Sequence, residues 1–384
     1  MRTVTLVVVD DAGRVLGALP PFEVDPPWWQ ECAPIVHEAR DRYGVEVTVL
    51  RLLRTDRPRQ PGGHVHYAVQ LERPYGLLQP VDGEVQASAE VDDPHRAEYA
   101  RPGGPQATLA WARAVLSRPV LAVQRRTWNL SALWRLSTPD GAYWLKQVPP
   151  FFAHEPAVLR HLGGGVPTVV AASGHRFLMT EVPGEDLYGA PADVALAIAA
   201  DMHAIQSTVE VAPLLALGVP DRRAPGPWLA AAARAHGDAS DARLRRLVDG
   251  LPERLARVAS CGLPDTLVHG DLHGGNVIGT PASGRVIIDW GDCVIGHPAF
   301  DILRLTEALP APDAAAVQAQ WASWWRSAVP GCDPSTALEL MRPVQELRFA
   351  AVMADFLASI EAAEHPYHRD DVADGLARAA DLCP

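Results

Sequence analysis

The sequence predicts an α+β fold, in which a small sheet-rich region is followed by a large helical region. Between residues 120 and 182, short segments rich in β-branched and aromatic residues follow one another closely, which is typical of strands in a sheet. After residue 184 the apolar residues recur at helical spacing. The clearest such series is Val194, Ile198, Met202 and Ile205. An arrangement of this kind predicts a cleft between the two regions.

The first part of the chain predicts a separate small α/β unit. A strand lies within residues 4–9, where β-branched residues dominate. A helix is predicted next. It ends at Gly44, because glycine commonly ends a helix in a left-handed conformation. Two further strands are predicted, over residues 45–50 and 65–71.

Residues 80–105 are acidic and rich in turn-forming residues, which predicts a surface loop. A helix over Gln106–Leu116 follows, and we place a domain boundary near Pro119. The predicted domains are residues 1–118, an α/β domain; residues 119–183, a sheet-rich lobe; and residues 184–384, a helical lobe.

The sheet-rich lobe is predicted to contain five strands with one helix among them. The strands are Val120–Gln124, Ser131–Leu136, Tyr143–Val148, Thr168–Ala171 and Arg176–Val182, and the helix is Glu155–Leu162. Farther along the chain, Phe349, Val352, Met353 and Phe356 form an apolar stripe that predicts a long helix in the second lobe.

The composition argues against several classes of function. The chain of 384 residues has a formal net charge of −12 and no basic stripe, which argues against nucleic-acid binding. No apolar run approaches the roughly 20 residues that cross a bilayer, and the apolar stretch that opens the chain is too short for a signal peptide. Five cysteines without CxxC spacing support neither disulfides nor a zinc site. We therefore expect a cytoplasmic protein with no membrane partner.

Two motifs in the second half of the chain carry the chemistry. They are Leu267-Val-His-Gly-Asp-Leu-His-Gly-Gly-Asn-Val277 and Val286-Ile-Ile-Asp-Trp-Gly-Asp292. Small residues between Asp271 and Asn276 let the loop fold back, so that both side chains face one point. Asp289 leaves the end of an apolar strand, which is a common position for a metal ligand beside a cleft. Phosphoryl transfer needs a base or orienting group for the acceptor hydroxyl and hard oxygen ligands for Mg²⁺.

These motifs resemble those of the aminoglycoside phosphotransferase and choline kinase-like family, whose fold is similar to that of protein kinases. The family pattern HGDxHxxN, followed by a DW(D/E)-type motif, is matched in order and at close spacing. The resemblance covers about residues 120–384 and implies a bilobal kinase-like domain that uses ATP or GTP and Mg²⁺. It implies Asp271 as the catalytic base, with Asn276 and Asp289 as Mg²⁺ ligands.

The same resemblance assigns supporting roles to four further residues. His269 would orient the catalytic loop, and Asp301 would brace it. Lys146 resembles the strand lysine that holds the α- and β-phosphates of the nucleotide. Glu155 resembles the partner of that lysine in a helix-borne ion pair.

The remaining nucleotide contacts are matched less closely. The backbone of Glu181 and Val182 is similar to the hinge that would meet the adenine edge. No GxGxxG loop precedes the strand lysine, and Ser131 in the corresponding turn is the candidate phosphate contact. Gly274 stands where the family usually has proline, which predicts a more flexible catalytic loop.

Each of these matches has a purely structural explanation when it is taken alone. An isolated HxDxxxxN segment could be a polar turn, Asp289 could cap a strand, and Lys146 could be a solvated surface lysine. Several elements in the correct order favour the kinase-like interpretation. For Ser131 and Glu181 the structural explanation is as good as the functional one. A chain can keep a fold without its activity, so a catalytically silent nucleotide-binding scaffold is the main alternative.

The N-terminal domain resembles the end of a Nudix box, R-E-U-x-E-E-x-G-U. The matching residues are Glu38, Asp41, Gly44 and Val45. His37 replaces the arginine, and Arg42 replaces a metal-binding glutamate, which would place a cation in the carboxylate cluster that Mg²⁺-dependent pyrophosphate cleavage needs. We interpret this part as a degenerate Nudix-like α/β domain, used for substrate contact, dimerisation or support. A Nudix-type hydrolase is the less favoured alternative.

The function predicted from these observations is transfer of a nucleotide γ-phosphate onto the hydroxyl of a small molecule. An aminoglycoside-like antibiotic, a sugar and an amino alcohol all suit the motifs as acceptors. The acidic balance slightly favours a cationic acceptor. The choice between ATP and GTP and the oligomeric state, a homodimer included, stay open in the sequence.

Overall fold

The computed structural model describes residues 1–73, 75–238, 240–280 and 284–383, and the chain folds into two compact units. The N-terminal unit consists of Met1–Ala153, Val169–Glu181 and Asp355–Asp370. The helical unit consists of His154–Thr168, Val182–Ala354 and the segment from Asp371 onward. The predicted domain boundaries near residues 118 and 183 stay a prediction.

A five-stranded sheet opens the N-terminal unit. Its strands are β1 (Arg2–Val9), β2 (Val15–Ala18), β3 (Phe22–Val24), β4 (Val47–Thr55) and β5 (His64–Leu71). β1 and β5 pair in parallel at the centre, β2 and β3 pair with β1, and β4 pairs with β5 in the antiparallel sense. Helix α1 (Ala33–Tyr43) buries Ile35 and Ala39 in the same core as Leu6 and Val8.

Gly44 ends α1 as predicted. Its φ of 65° is left-handed, and its N–H donates to the carbonyl of Arg40 at 2.9 Å. The predicted loop over residues 80–105, in contrast, is wrong in part, because it contains α2 (Gly83–Glu90) and a 3₁₀ turn over Glu98–Ala100. Only Val85 and Ala89 of α2 are buried, too few to make an apolar stripe visible in the sequence.

The second sheet of the N-terminal unit is fully antiparallel. Its strands are β6 (Leu121–Trp128), β7 (Ser131–Thr138), β8 (Gly141–Gln147), β9 (Val169–Ser173) and β10 (Arg176–Thr180), in the order β6-β7-β8-β10-β9. Helix α3 (Gly104–Leu116) packs Leu109 and Ala112 against Trp134 and Leu145 of this sheet. All five strands predicted for this lobe are confirmed, with ends that differ by a few residues.

The side chain of Gln124 bonds the two sheets of the N-terminal unit to each other. The amide of Gln124 on β6 accepts from the N–H of Val49 on β4 at 2.9 Å and donates to the carbonyl of the same residue at 2.7 Å. β4 has a register shift between Val49 and Arg51, and β6 has one between Gln124 and Arg126. β4 is an edge strand of its sheet, and the side-chain amide satisfies the backbone groups of Val49 on that edge.

The helical unit contains most of the helices. They are α4 (Glu155–Leu162), α5 (Ala192–Thr208), α6 (Val211–Ala216), α7 (Gly226–His236), α8 (Ala242–Asp249), α9 (Leu251–Ser260), α10 (Ala299–Thr306), α11 (Ala311–Ala328), α12 (Pro334–Leu357) and α13 (Asp371–Asp381). The predicted helical series is confirmed in α5, where Ile198 and Met202 face the core. In the part of the chain that the structure describes, no helix has the length and apolarity needed to cross a membrane.

Short strands in the helical unit hold the two chemical motifs. They are β11 (Glu185–Asp186), β12 (Thr266–Val268), β13 (Val277–Thr280), β14 (Gly284–Ile287) and β15 (Val294–Gly296). β12 pairs with β15, and β13 pairs with both β11 and β14. The first motif therefore includes the loop that connects β12 to β13. The second motif begins in β14 and continues beyond the end of that strand.

Replacing Gln124 with leucine is expected to destabilise the N-terminal unit by roughly 2–4 kcal/mol, because two buried backbone groups of Val49 lose their partner. Urea titration of the purified protein measures this change. Gln86→Leu, on the exposed side of α2, is the control and should change the free energy of unfolding by less than about 0.5 kcal/mol. Equal effects of the two substitutions would contradict the role of Gln124.

Candidate active site

The structure brings Asp271 and Asn276 together. After β12 the loop makes a 3₁₀ turn over Gly274–Asn276. The Asn276 Nδ2 then donates to the backbone carbonyl of Asp271 at 2.9 Å and lies 3.3 Å from its Oδ2. Because Nδ2 is engaged in this way, the amide oxygen of Asn276 is the atom left for a hard cation.

Close packing explains the glycine that stands where the family usually has proline. A Cβ at Gly274 would lie 2.1 Å from the carbonyl oxygen of Leu187. Proline carries such a Cβ, so it would collide there. This steric reason accounts for the glycine, and the flexibility of the loop stays a prediction. Gly270 is constrained as well, because its φ is 92° and an added Cβ would lie 2.3 Å from the carbonyl oxygen of Asp292.

The buried carboxylate of Asp301 holds the start of the catalytic loop. Its oxygens accept from the N–H of His269 at 2.8 Å, the N–H of Gly270 at 3.0 Å and the Nε2 of Gln206 at 2.9 Å. Burial raises the pKa of Asp301, and the charge of His269 and these backbone N–H groups oppose that rise. The geometry matches the bracing role that the sequence assigns to Asp301.

His269 connects the catalytic loop to the second motif. Its Nε2 lies 2.9 Å from the carbonyl oxygen of Ile288, and its ring packs edge-on against Trp290 with centroids 4.8 Å apart. Asp289 lies between those two residues in sequence. His269 therefore bonds the backbone directly beside Asp289, the candidate metal ligand. Its role in orienting the catalytic loop stays a prediction.

Asp289 has an unusual backbone conformation. Its φ of 63° and ψ of 61° are left-handed, a region that costs a non-glycine residue roughly 1–2 kcal/mol. Strain of this kind persists only where the surroundings enforce it, and it concentrates at functional sites. The next residue, Trp290, is fully buried, donates its N–H to Glu155 Oε1 at 3.2 Å and donates its indole N–H to the carbonyl of Ile287 at 2.9 Å. Glu155 thereby ties α4 to the turn that carries Asp289.

Two residues that contact the candidate base were missed in the sequence. Arg304 Nε donates to Asp271 Oδ1 at 2.8 Å, and His273 Nε2 lies 3.4 Å from Asp271 Oδ2. His273 Nδ1 accepts from the N–H of Gly275 at 3.0 Å, so the neutral ring carries its proton on Nε2 and donates it to Asp271. The position of Arg304 offers a signal, because it follows Asp301 by three residues on α10 and so shares its face.

These contacts set the protonation of Asp271. Burial alone would raise the pKa of this carboxyl, but the hydrogen bond from His273 and the charge of Arg304 lower it well below its usual range. Asp271 is therefore ionised at neutral pH and in mild acid.

The candidate residues of the N-terminal unit occupy the second sheet. Lys146 lies on β8 with 7% of its surface exposed, so it is not the solvated surface lysine of the structural explanation. The hydroxyl of Ser131 accepts from the indole N–H of Trp128 at 3.3 Å. The Glu181 carboxylate accepts from Nε and Nη2 of Arg135, at 2.6 and 3.0 Å.

The predicted hinge contact of Glu181 stays a prediction that involves its backbone carbonyl. The N–H of Glu181 donates to the carbonyl of Ala142 at 3.1 Å, which leaves its carbonyl rather than its N–H for an adenine edge. Val182 belongs to the helical unit, as does Glu155, whereas Lys146 belongs to the N-terminal unit. The pairing of Lys146 with Glu155 and the adenine contact of Val182 stay predictions.

The donor set suits a magnesium ion that is shared with a nucleotide. Among the described residues, no group of three or more histidine, cysteine, aspartate or glutamate side chains is arranged to hold a metal ion. Mg²⁺ is typically bound by one or two protein oxygens together with substrate phosphates and water. The amide oxygen of Asn276 and the carboxylate of Asp289 fit that requirement.

Comparison with known proteins agrees with this geometry. Residues 121–339 match the model of the phosphotransferase enzyme family, which is more than half of the chain. The chain belongs to this family. No curated protein matches the sequence. The predicted class of a small-molecule phosphotransferase with a kinase-like fold is thereby confirmed. Family membership also implies a nucleotide donor and a divalent metal ion in general terms.

Two solved structures show the same fold. Choline kinase from Streptococcus pneumoniae is 13% identical, with a TM-score of 0.54, over 72% of this chain and 99% of that chain. Macrolide 2'-phosphotransferase from Brachybacterium faecium is 17% identical, with a TM-score of 0.51, over 68% of this chain and 98% of that chain. At such identities the likeness extends to the fold and not to the acceptor.

Replacing Asp301 with asparagine is expected to lower kcat about 100-fold, because the amide cannot accept from all three donors and the loop that carries Asp271 shifts. Phosphate transfer from radiolabelled ATP or GTP measures kcat, while the nucleotide KM should change little. Asp313→Asn, at an exposed position of α11, is the matched control and should leave kcat unchanged. An unchanged kcat in Asp301→Asn would contradict the bracing role.

Replacing Arg304 with methionine is expected to raise the pKa of Asp271, because a cation that favours the carboxylate is lost. The acid limb of kcat, along which Asp271 becomes protonated as the pH falls, should then lie at higher pH than in the wild type. The measurement is the pH profile of kcat from the lowest pH at which the protein stays folded up to about pH 8.

Arg304→Lys is the control for that experiment, because it keeps the charge beside Asp271 and should return the acid limb toward its wild-type position. Identical profiles for Arg304→Met and the wild type would show that Arg304 does not act on the protonation of Asp271.

Proposed function

We propose that this phosphotransferase moves the γ-phosphate of ATP or GTP onto a hydroxyl group of a small molecule. The observation that carries the proposal is that hydrogen bonds link the two sequence motifs. Asn276 holds Asp271 within one loop, and His269 connects that loop to the strand end that carries Asp289. A base or orienting carboxylate and two oxygen ligands for a metal are thereby gathered on neighbouring segments.

In the proposed reaction the hydroxyl oxygen of the acceptor attacks the γ-phosphorus. The bond from that phosphorus to the β–γ bridging oxygen breaks, and the nucleoside diphosphate leaves. Asp271 orients the hydroxyl and receives its proton. Because phosphoryl transfer passes through a loose transition state, orientation matters more than basicity, which suits a carboxylate with a lowered pKa.

Mg²⁺ would be held by Asn276 and Asp289 and would neutralise charge on the transferred phosphate. Lys146 would contact the α- and β-phosphates, Ser131 is the second candidate phosphate contact, and Glu155 would hold the lysine. The acceptor is a hydroxyl-bearing small molecule, for which a cationic compound such as an aminoglycoside-like antibiotic or amino alcohol is favoured by the net charge of −12. A cytoplasmic location and a homodimer belong to this proposal as well.

The two alternatives carry less support. A catalytically silent scaffold would not need Asp271, Asn276 and Asp289 to be kept together. For a Nudix-type hydrolase, the relevant observation is that Arg42 Nε donates to Glu38 Oε2 at 2.7 Å. That ion pair supports a non-catalytic role for α1. The Nudix-like fold of the N-terminal region stays a prediction.

The first test measures ATP and GTP binding by calorimetry, with and without Mg²⁺. Asp289→Ala should abolish Mg²⁺-dependent binding, because a metal ligand is lost, whereas Asp271→Asn should keep binding and lose about 10³-fold in turnover with hydroxyl acceptors. Asp193→Ala, at an exposed position of α5, is the control and should change neither value.

The outcomes separate the candidate functions. Wild-type binding without transfer to any hydroxyl acceptor would favour the scaffold. Full turnover in Asp271→Asn would remove Asp271 as the base. Hydrolysis of nucleoside diphosphate derivatives that is lost in Glu38→Gln would favour the Nudix-type hydrolase.

A further inference from the structure

Tyr188 is an aromatic residue of the helical unit with an unusually exposed ring. It leaves 80% of its surface exposed, more than any other large apolar or aromatic residue among those that the structure describes. It lies in the loop that follows the short strand β11. Single exposed apolar residues are common on protein surfaces, so the position of this ring decides its meaning.

The segment that carries Tyr188 is bonded to the catalytic loop. The N–H of Leu187 donates to the carbonyls of Gly274 and Val277, each at 3.0 Å. The N–H of Tyr188 donates to Asp186 Oδ1 at 3.1 Å. These bonds hold the backbone of Tyr188 beside the catalytic loop.

The catalytic loop leaves room for the tyrosine ring. A Cβ on Gly275 would lie 3.1 Å from Cδ2 of Tyr188 and 2.7 Å from Cε1 of His273. A side chain at this position would therefore push one of the two rings away. With glycine there, the rings of Tyr188 and His273 meet edge to face, with centroids 6.3 Å apart and an interplanar angle of 89°.

The tyrosine ring lies one side chain away from the candidate base. His273 contacts the ring of Tyr188, and its Nε2 lies 3.4 Å from Asp271 Oδ2. A small molecule whose hydroxyl contacts Asp271 therefore needs to span only about the width of one imidazole ring for another of its groups to reach Tyr188.

The carboxylates next to this ring favour a positively charged ligand. Glu185 and Asp186 are exposed, and neither forms an ion pair with a described lysine, arginine or histidine. The guanidinium of Arg304 is already paired with Asp271 and Glu307. The face of an aromatic ring attracts a cation through its quadrupole, and the two unpaired carboxylates add to this attraction.

We propose that Tyr188 is a specificity-determining residue and that the face of its ring binds an ammonium group of the acceptor. This inference rests on the proposed function, because it names what the acceptor presents beside the hydroxyl group that is phosphorylated. Compounds that carry both a hydroxyl and an ammonium group fit the arrangement. Neutral compounds of the same shape lose the attraction of the ring and of the carboxylates, so they are poorer acceptors.

The test compares acceptors that are matched in shape and differ in charge. The first pair is choline and its neutral analogue, in which a tert-butyl group replaces the trimethylammonium group. The second pair is glucosamine and glucose. Phosphate transfer from radiolabelled ATP or GTP gives kcat/KM for each compound. In the wild type we expect the cationic member of at least one pair to have a kcat/KM at least about 10-fold higher than the neutral member.

Two substitutions separate the π face from apolar bulk. Tyr188→Leu should lower the ratio of cationic to neutral kcat/KM at least about fivefold, because leucine is apolar but has no π face. Tyr188→Phe keeps the ring and should keep the ratio within about twofold of the wild type. Because residue 188 is exposed, both variants are expected to fold. Trp28→Leu, which removes an exposed aromatic ring of the N-terminal unit, is the matched control and should keep the ratio.

The same data include the outcomes that would overturn the proposal. One is an equal ratio in Tyr188→Leu and the wild type. Another is preference for the neutral member of both pairs. A third is a rise in the nucleotide KM of Tyr188→Leu with no change in the acceptor ratio, since the ring would then contact the nucleotide.

Calorimetric titration of the nucleotide-free protein with choline and glucosamine makes the test independent of turnover. We expect a Kd below about 1 mM for at least one of these cations, and at least about fivefold weaker binding in Tyr188→Leu but not in Tyr188→Phe. Absence of saturable binding of both cations to the wild type would overturn the proposal. Absence of phosphotransfer to any hydroxyl compound would overturn the proposed function and leave this titration to decide whether Tyr188 binds a cation.

Discussion

The carboxylate of Asp301 is the interaction on which the candidate site depends. One buried group accepts from two consecutive backbone N–H groups of the catalytic loop and from the amide of Gln206 on α5. A buried carboxylate is stable only when its oxygens are bonded, so α5, α10 and the loop must be assembled together. The guanidinium of Arg348 holds the same loop, since it donates to the carbonyl of Gly270 at 3.0 Å.

The other contacts of the site extend from the loop that Asp301 holds. His269 bonds the carbonyl of Ile288, next to Asp289 in the chain. The backbone N–H and the indole N–H of Trp290 hold the turn in which Asp289 is left-handed. α10 carries both Asp301 and Arg304, so the helix that braces the loop also places a cation on Asp271. The helix that braces the loop therefore also helps, together with His273, to lower the pKa of the base.

In the N-terminal unit, buried polar side chains join separate parts of the fold. Gln124 bonds both backbone groups of Val49, and a buried cluster around Glu361 joins residues 355–370 to the first sheet through Arg51. Buried polar groups of this kind fix a unique arrangement when they are satisfied. Several buried polar atoms of this unit, among them the Tyr99 hydroxyl and Asn129 Nδ2, have no hydrogen-bond partner among the described residues.

By itself, the sequence determined which segments form the strands of the second sheet, the end of α1 at Gly44, and the grouping of Asp271 with Asn276, because these depend on residues that are close in the chain. It did not reveal α2, whose two buried residues make no periodic pattern. Only the tertiary structure decided that Arg304 bonds Asp271 across 33 residues and that Gln124 bonds Val49 across 75. These contacts depend on how separate elements pack, and the spacing of residues along the chain carries no record of that packing.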